Sequence, residues 1–194
     1  MSKRDVLPFQ RGDSGTGHGN FAGEQFDHVP YDPSAGAVAG ARTGGDVTVL
    51  VVKNSSGISL EPKRLVKFKD GTNYTEVDGY ATTTGKYPVA VVDEFCTSGV
   101  PNADYFFVVI GGPTLMLTDL AGADNNVISE GDPLIALTAA TSQATTSGRV
   151  YTLPGAGAST HLGTNLLGVF AYALSAKTTA NTNADILGHL LRRL

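Results

Sequence analysis

From residue 46 onward, short apolar runs rich in β-branched and aromatic residues alternate with polar turn residues. Runs of this composition are typical of strands, and a pair such as Asp70-Gly71 between two runs indicates a hairpin. About nine strands at roughly 8–15-residue spacing, without a long helix, are typical of an all-β domain. We therefore predict a small β-barrel or β-sandwich.

The predicted strands differ in how they should pack. The run over 104–112 is almost entirely apolar, which predicts a central strand buried on both faces. Pro113 is expected to end that strand, and the alternating residues 114–120 predict the next one. Residues 184–194 fit a helical period better than a period of two, but helix and strand both stay open. The other strands are expected within 46–54, 58–69, 74–82, 87–95, 149–155 and 166–175, and from residue 134.

Residues 1–45 have no such pattern. They contain nine glycines and three prolines spread over their whole length, and their bulky apolar residues are isolated. Too little apolar surface is present to offset a backbone entropy of about 1–2 kcal/mol per ordered residue. We predict an extended, glycine-rich N-terminal arm before a β domain of residues 46–194. The arm is either a disordered terminus or a strap whose spaced aromatic side chains dock on a neighbouring subunit.

The charge of the chain argues against one class of partner. The net charge is −4, whereas DNA and RNA are bound through clustered Lys and Arg, so no direct nucleic-acid partner is expected. One small basic cluster, at Lys63, Arg64, Lys67 and Lys69, is interpreted as a solvated edge because an alternating strand would divide it between two faces. The sequence has no stretch of about 18 apolar residues and no apolar segment of a signal peptide, so no membrane partner is expected.

The templates for catalysis and metal binding each lack the second residue that they need. Cys96, the only cysteine, has no evident His partner and is interpreted as a small buried residue. Asp93 and Glu94 are adjacent on a strand and should face opposite sides. The glycine-rich stretch 15–19 lacks the strand, helix and lysine of a phosphate-binding loop, and the histidines lack metal-ligand spacing. We therefore predict a protein that is not an enzyme and binds no cofactor or metal.

Three segments of the β domain resemble the small cement or decoration proteins that coat the capsids of tailed bacteriophages. SGISLEPKRLVKF (56–68) is similar to the segment in which those proteins set an initial strand. EGDPLIAL (130–137) is similar to their Gly-Asp step before an apolar strand. LLGVFAYALSAKTTANTNADILGHLL (166–191) leads from an apolar strand through an Ala, Thr and Asn turn to a closing apolar strand, as that family usually ends.

The resemblance implies a viral structural protein on the capsid exterior of the virion, assembled in the host cytoplasm. Such a protein binds the major capsid protein and stabilises the shell, often as a trimer. The arm would be the clamp onto neighbouring capsid subunits, and the expected contacts in the arm and in a hairpin of the domain are Phe9, Phe21, Phe26, Tyr31 and Tyr151. The alternative is a phage tail or receptor-recognition β domain that binds carbohydrate, although the chain contains no Trp for an aromatic platform.

Overall fold

A computed structural model describes residues 7–30, 46–70, 74–81, 89–118, 127–136, 148–152, 169–177 and 185–191. Their regular structure is almost entirely β, which confirms the predicted fold class. The helix among them is a short 3₁₀ helix, Thr16–Phe21. The strands of this part of the chain are β1 (Gln25–Pro30), β2 (Asp46–Asn54), β3 (Leu65–Phe68), β4 (Glu76–Tyr80), β5 (Val89–Val92), β6 (Tyr105–Leu117), β7 (Pro133–Ala136), β8 (Val150–Thr152), β9 (Ala171–Ala173) and β10 (Asp185–Leu190).

Five of the strands pair in a closed ring. β2 pairs with β6, β6 with β5, β5 with β3, β3 with β4, and β4 returns to β2. Because alternate residues of a strand face opposite sides of a sheet, one side chain in two points into the ring. The ring is therefore a small barrel with an apolar interior, to which all five strands contribute: Leu50, Val52, Val66, Phe68, Val77, Ala90, Val92, Phe106, Val108 and Ile110.

Strand β6 is longer than the barrel and continues into a second set of strands. Its far half pairs with β10, which pairs with β9, and β9 is followed by β7 and β8. A parallel bridge joins Thr118, just after β6, to Val150 in β8. Strand β8 therefore returns to the end of β6, where the second set of strands begins. All ten strands thus belong to one continuous sheet in which β6 is the shared element.

The outer wall of the barrel, on β2 and β6, is apolar as well. Val49, Val51, Phe107 and Val109 point away from the barrel interior, and none of them is exposed. They belong to one cluster with apolar side chains of the second set, such as Met116 of β6. Strands β2 and β6 are therefore buried on both faces, as the long apolar run of β6 predicts.

The prediction that Pro113 ends a strand is wrong. β6 runs through this residue, which lies opposite His189 of β10. Gly112, with a φ of 89°, bends the strand where it leaves the barrel, close to a register shift between β2 and β6. The ladder between β2 and β6 ends at Gly111, and proline is tolerated next to such an irregularity.

Two further expectations are resolved by the strand pairing. The C-terminal segment that fitted both helix and strand is strand β10, which lies between β6 and β9. Strands β3 and β4 pair antiparallel, as the hairpin signal at Asp70 predicts. For the C-terminal segment, tertiary pairing and not the local period decides the structure.

The basic residues between 63 and 69 are paired with carboxylates. The partners are Asp185 for Lys63, Glu61 for Arg64, Asp78 for Lys67 and Glu76 for Lys69. Arg64 is buried, with its guanidinium carbon 4.9 Å from the centre of the Tyr80 ring. The interpretation of the whole cluster as a solvated edge is therefore wrong for Arg64, whose planar head packs on an aromatic face. The Lys63 pair joins the barrel to β10.

A pair of glycine substitutions tests the bend in β6. Gly112 and Gly57 have φ values of 89° and 79°, so alanine at either position carries a similar backbone penalty of about 1–2 kcal/mol. A Cβ on Gly112 would also overlap the backbone oxygen of Asp46, whereas no atom lies within 4 Å of a Cβ on Gly57. We expect Gly112→Ala to lower the unfolding free energy in urea by about 3 kcal/mol or more, and Gly57→Ala by about 1 kcal/mol. Equal losses would contradict the close contact at the bend.

Candidate functional site

The described part of the N-terminal arm lies on the outer wall of its own barrel. β1 pairs antiparallel with β2, and Gly15 exchanges two backbone hydrogen bonds, of 3.1 and 3.2 Å, with Tyr105 of β6. We call the outer face of β2 and β6, together with Asp93 after β5, the arm groove. Four half-buried apolar residues of the arm pack against it: Leu7, Phe9, Phe21 and Phe26.

Phe9 is held between two rings. The imidazole of His18 stacks on one face with the centroids 3.8 Å apart, and Phe107 of β6 stacks on the other at 4.4 Å. Phe26 meets the ring of Phe107 edge-on, at 6.0 Å. Aromatic pairs of this kind contribute about 0.5–1.5 kcal/mol each in addition to the area that they bury. Through these three contacts, Phe9, the 3₁₀ helix and β1 all pack around Phe107 of the barrel wall.

A buried ion pair fixes the arm to the end of β5. Nε of Arg11 donates to Oδ2 of Asp93 at 2.7 Å, and Nη2 donates to Oδ1 at 3.1 Å. The Asp93 side chain is not exposed at all, and its Oδ1 also accepts the backbone N–H of Phe95 at 3.2 Å. The guanidinium lies 4.6 Å from the centre of the Phe95 ring. This two-pronged pair sets the position of the arm along the groove, because a bidentate contact is geometrically specific.

Burial determines the protonation of the groups around this pair. It raises the pKa of Asp93 to about 6, although the charge and hydrogen bonds of Arg11 act in the opposite direction. Cys96 is buried nearby, with its Sγ 3.6 Å from the carbonyl oxygen of Arg11, and burial raises the pKa of the thiol far above its usual range. A thiol that stays protonated is a poor nucleophile. The interpretation of Cys96 as a small buried residue is confirmed.

The other residues that were considered as candidates for binding or catalysis are described next, within the described ranges. The glycine-rich stretch 15–19 opens the 3₁₀ helix, where a Cβ on Gly19 would lie 3.1 Å from the Tyr105 ring. Within the described ranges, no group of three or more His, Cys, Asp and Glu could hold a metal ion. No helix in these ranges has the length and apolar character needed to cross a membrane. That the protein is not an enzyme stays a prediction.

Of the five contact residues expected from the sequence, four lie in the described ranges. Phe9, Phe21 and Phe26 contact the chain's own barrel, and their role in contacting a capsid stays a prediction. Tyr31 lies outside the described residues. Tyr151 lies in β8, the last strand of the sheet. The division of the chain at residue 45 also stays a prediction, although β1 of the arm is already part of the sheet.

A row of half-buried and exposed side chains, two of them large and apolar, crosses the second set of strands. Tyr172 of β9 lies opposite His189 of β10 on one side and opposite Pro133 of β7 on the other. Leu174 follows directly after β9, at a bend in the chain. Tyr172 is 44% exposed and Leu174 is 41% exposed. We call Pro133, Tyr172, Leu174 and His189 the β9 row.

Sequence reasoning missed both the ion pair and this row. Arg11 and Asp93 are 82 residues apart, and no local pattern connects them. A signal for the row does exist, because small and large residues alternate over 171–174. Large side chains are usually assigned to the buried face. Here the alanines face the core, and Tyr172 and Leu174 face outward.

Comparison with known proteins adds little to this description. No protein-family model matches the sequence, and no curated protein matches it. Among solved structures, the chain is similar to the N base of head fiber gp8.5 in bacteriophage phi29, with 14% sequence identity and a TM-score of 0.42. The alignment covers 74% of this chain and 93% of that chain. A likeness at this level carries no argument about fold or function.

Removal of the guanidinium at position 11 should destabilise the protein in a pH-dependent way. Arg11→Gln leaves a buried carboxylate without its counter-charge, which costs about 3–5 kcal/mol for a broken buried pair. We expect a loss of about 3 kcal/mol in the urea unfolding free energy at pH 8 and a clearly smaller loss at pH 5, where neutral Asp93 needs no cation.

The direction in which the unfolding free energy changes with pH follows from the pKa of Asp93. Burial raises it from 3.8 to about 6, so the folded state holds a proton between these values that the unfolded state has lost. The unfolding free energy of the natural chain therefore falls as the pH rises through this window, and it levels off above about 6. Without Arg11, no cation opposes the effect of burial on the pKa of Asp93, so the pH range over which the unfolding free energy falls extends to higher pH. Asp93→Asn in the Arg11→Gln background is the control, and it should remove the pH dependence. An equal loss at pH 5 and pH 8 would contradict the role of the charge.

Proposed function

We propose that this chain is a viral structural protein that binds the outer surface of a bacteriophage capsid and stabilises the shell. The observation that carries the proposal is the β9 row. Of the four large apolar residues that are most exposed in the described ranges, Tyr172 and Leu174 belong to this row, and Val127 directly precedes Ile128, which pairs with Lys177 after β9. Clustered apolar exposure marks protein contact surfaces, and tyrosine is enriched in them.

The sequence resemblance supports the same proposal. Its three segments contain β3, β7, β9 and β10, and the segment 166–191 contains Tyr172, Leu174 and His189 of the row. The head fiber of phi29 belongs, by its name, to a phage head, which agrees with the proposal without carrying it. On a lattice, a contact surface of modest size is sufficient because copies that are linked to one another bind with high avidity. We further propose a trimer as the unit that binds.

In this proposal the arm has a different role from the clamp expected from sequence. Phe9 and Arg11 are engaged in the arm groove, so their side chains would have to leave it before they contact a capsid subunit. Tyr172 and Leu174 of the β9 row are exposed without any such rearrangement. We therefore assign the first contact with the shell to the row and place the arm within the body of the protein.

Binding to shells tests both the function and the surface. Capsids of the phage that carries the gene are prepared without this protein, and purified chain is added back and sedimented with them. We expect saturable binding by the natural chain. Tyr172→Ser combined with Leu174→Ser should weaken binding at least about tenfold, since loss of central apolar contacts typically costs more than 1 kcal/mol.

Ile58 provides a matched control for the same experiment. It is 49% exposed and lies after β2 at the barrel, away from the second set of strands. Ile58→Ser removes a comparable exposed apolar side chain and should change binding by less than about twofold. No binding by the natural chain would refute the capsid function. Unchanged binding by the double variant would refute the β9 row as the contact surface.

The carbohydrate alternative uses the same exposed ring in another way. Tyr172 offers one aromatic face, and His189 opposite it can donate or accept a hydrogen bond. A glycan array with the natural chain separates the two functions. Glycan binding that Tyr172→Ser abolishes, together with no binding to shells, would establish the alternative.

A further inference from the structure

The connection between β1 and β2 is much longer than their pairing requires. Pro30, the last residue of β1, lies opposite Asp46, the first residue of β2. Antiparallel neighbours in this register can be joined by two to five residues in a hairpin. The chain instead uses residues 31–45, which include four glycines and four alanines. Long connections within a compact domain usually have a function.

The length of this connection allows the arm to reach another molecule. Fifteen residues span at most about 50 Å when fully extended. A compact chain of this size has a diameter of about 40 Å, from the usual scaling of the radius of gyration. Residues 31–45 are therefore long enough for the arm of one copy to reach the groove of a copy beside it.

In the part of the chain that the structure describes, the contacts that hold the arm are made by one linear segment, residues 7–30. Phe9 stacks on Phe107, and Arg11 pairs with Asp93. Gly15 bonds to Tyr105, and β1 adds to the edge of β2. A second copy of the chain presents an identical groove with the same wall, carboxylate and strand edge. Exchange of arms between copies would therefore replace each contact by an equivalent one.

We propose that neighbouring copies of this chain exchange their arms, so that residues 7–30 of one copy occupy the arm groove of another. The arm in its own groove is favoured in dilute solution, because its covalent connection to the barrel gives it an effective concentration on the order of mM. Exchange becomes competitive when copies are held together at a similar local concentration, as on a lattice. This inference goes beyond the proposed function, and it is tested without any capsid.

A charge-swap experiment tests the exchange on the full chain. Arg11→Glu places like charges together in the groove of its own copy, and Asp93→Arg does the same from the other side. In an equimolar mixture, the arm of Asp93→Arg keeps Arg11 and can enter the groove of Arg11→Glu, which keeps Asp93. The arm of Arg11→Glu can in turn enter the groove of Asp93→Arg, where the two substituted residues form an ion pair of reversed polarity. We expect each variant alone to run as a monomer in size-exclusion chromatography with light scattering. The mixture should give a species of about 40 kDa, twice the 20.1 kDa of the chain.

The double variant is the matched control. Arg11→Glu with Asp93→Arg restores an ion pair within one copy and should remain monomeric at the concentration at which the mixture forms dimers. A dimer of the double variant would assign the association to another surface and overturn the proposal. A mixture that stays at the mass of the monomer while the single variants are folded would also overturn it.

The natural chain decides the question if the single variants do not fold. Unlabelled and ¹⁵N-labelled natural chains are mixed at about 1 mM and examined by native mass spectrometry after rapid dilution. Exchange predicts mixed dimers in a statistical ratio to the two pure dimers. The Arg11 contact with Asp93 is the same in the monomer and in the exchanged dimer. Arg11→Gln in both partners should therefore speed the approach to this ratio at least fivefold, because the arm leaves its own groove more readily, without changing the final yield. The absence of mixed dimers in the natural chain, or a rate of mixing that Arg11→Gln leaves unchanged, would overturn the proposal.

Discussion

The structure depends on a wall of two strands that is apolar on both faces. On β2 and β6, Leu50 and Phe106 face into the barrel, and Val51 and Phe107 face out of it. Closing the ring covers only the inner face. The outer face must be covered by other parts of the chain, since exposed apolar area of this kind costs about 25 cal/mol per Å². The second set of strands covers one part of it, and residues 7–30 of the arm cover another.

This constraint changes the role of the N-terminal arm. Its composition cannot support a core of its own, but its spaced aromatic side chains cover apolar surface of the barrel wall. The pair of Arg11 with Asp93 contributes specificity more than stability, because the cost of burying both charges offsets most of their attraction. The arm and its groove thus form a recognition unit within the chain. In the β9 row, at the second set of strands, Tyr172 and Leu174 are exposed, and we propose this row as the surface for another protein.

Local patterns predicted the all-β class, most strand positions and the double burial of β6, because each depends on composition over a few residues. They failed where distant parts of the chain meet. Pro113 continues a strand since Gly112 has already bent it, and Arg64 is buried because Tyr80 and Glu61 lie beside it. No local pattern indicates where Arg11 would find its partner. The exposed Tyr172 reverses the usual assignment of large side chains to the core.

Native-state hydrogen exchange tests most directly whether the arm is part of the fold. The amide of Gly15 is bonded to the carbonyl of Tyr105, and the amide of Gly23 to that of Val51, whereas the amide of Val92 lies inside the barrel ladder. If the arm covers the wall as described, Gly15 and Gly23 should be protected to within about tenfold of Val92. Exchange of both glycines at the rate of an unstructured peptide, with Val92 still protected, would contradict the account.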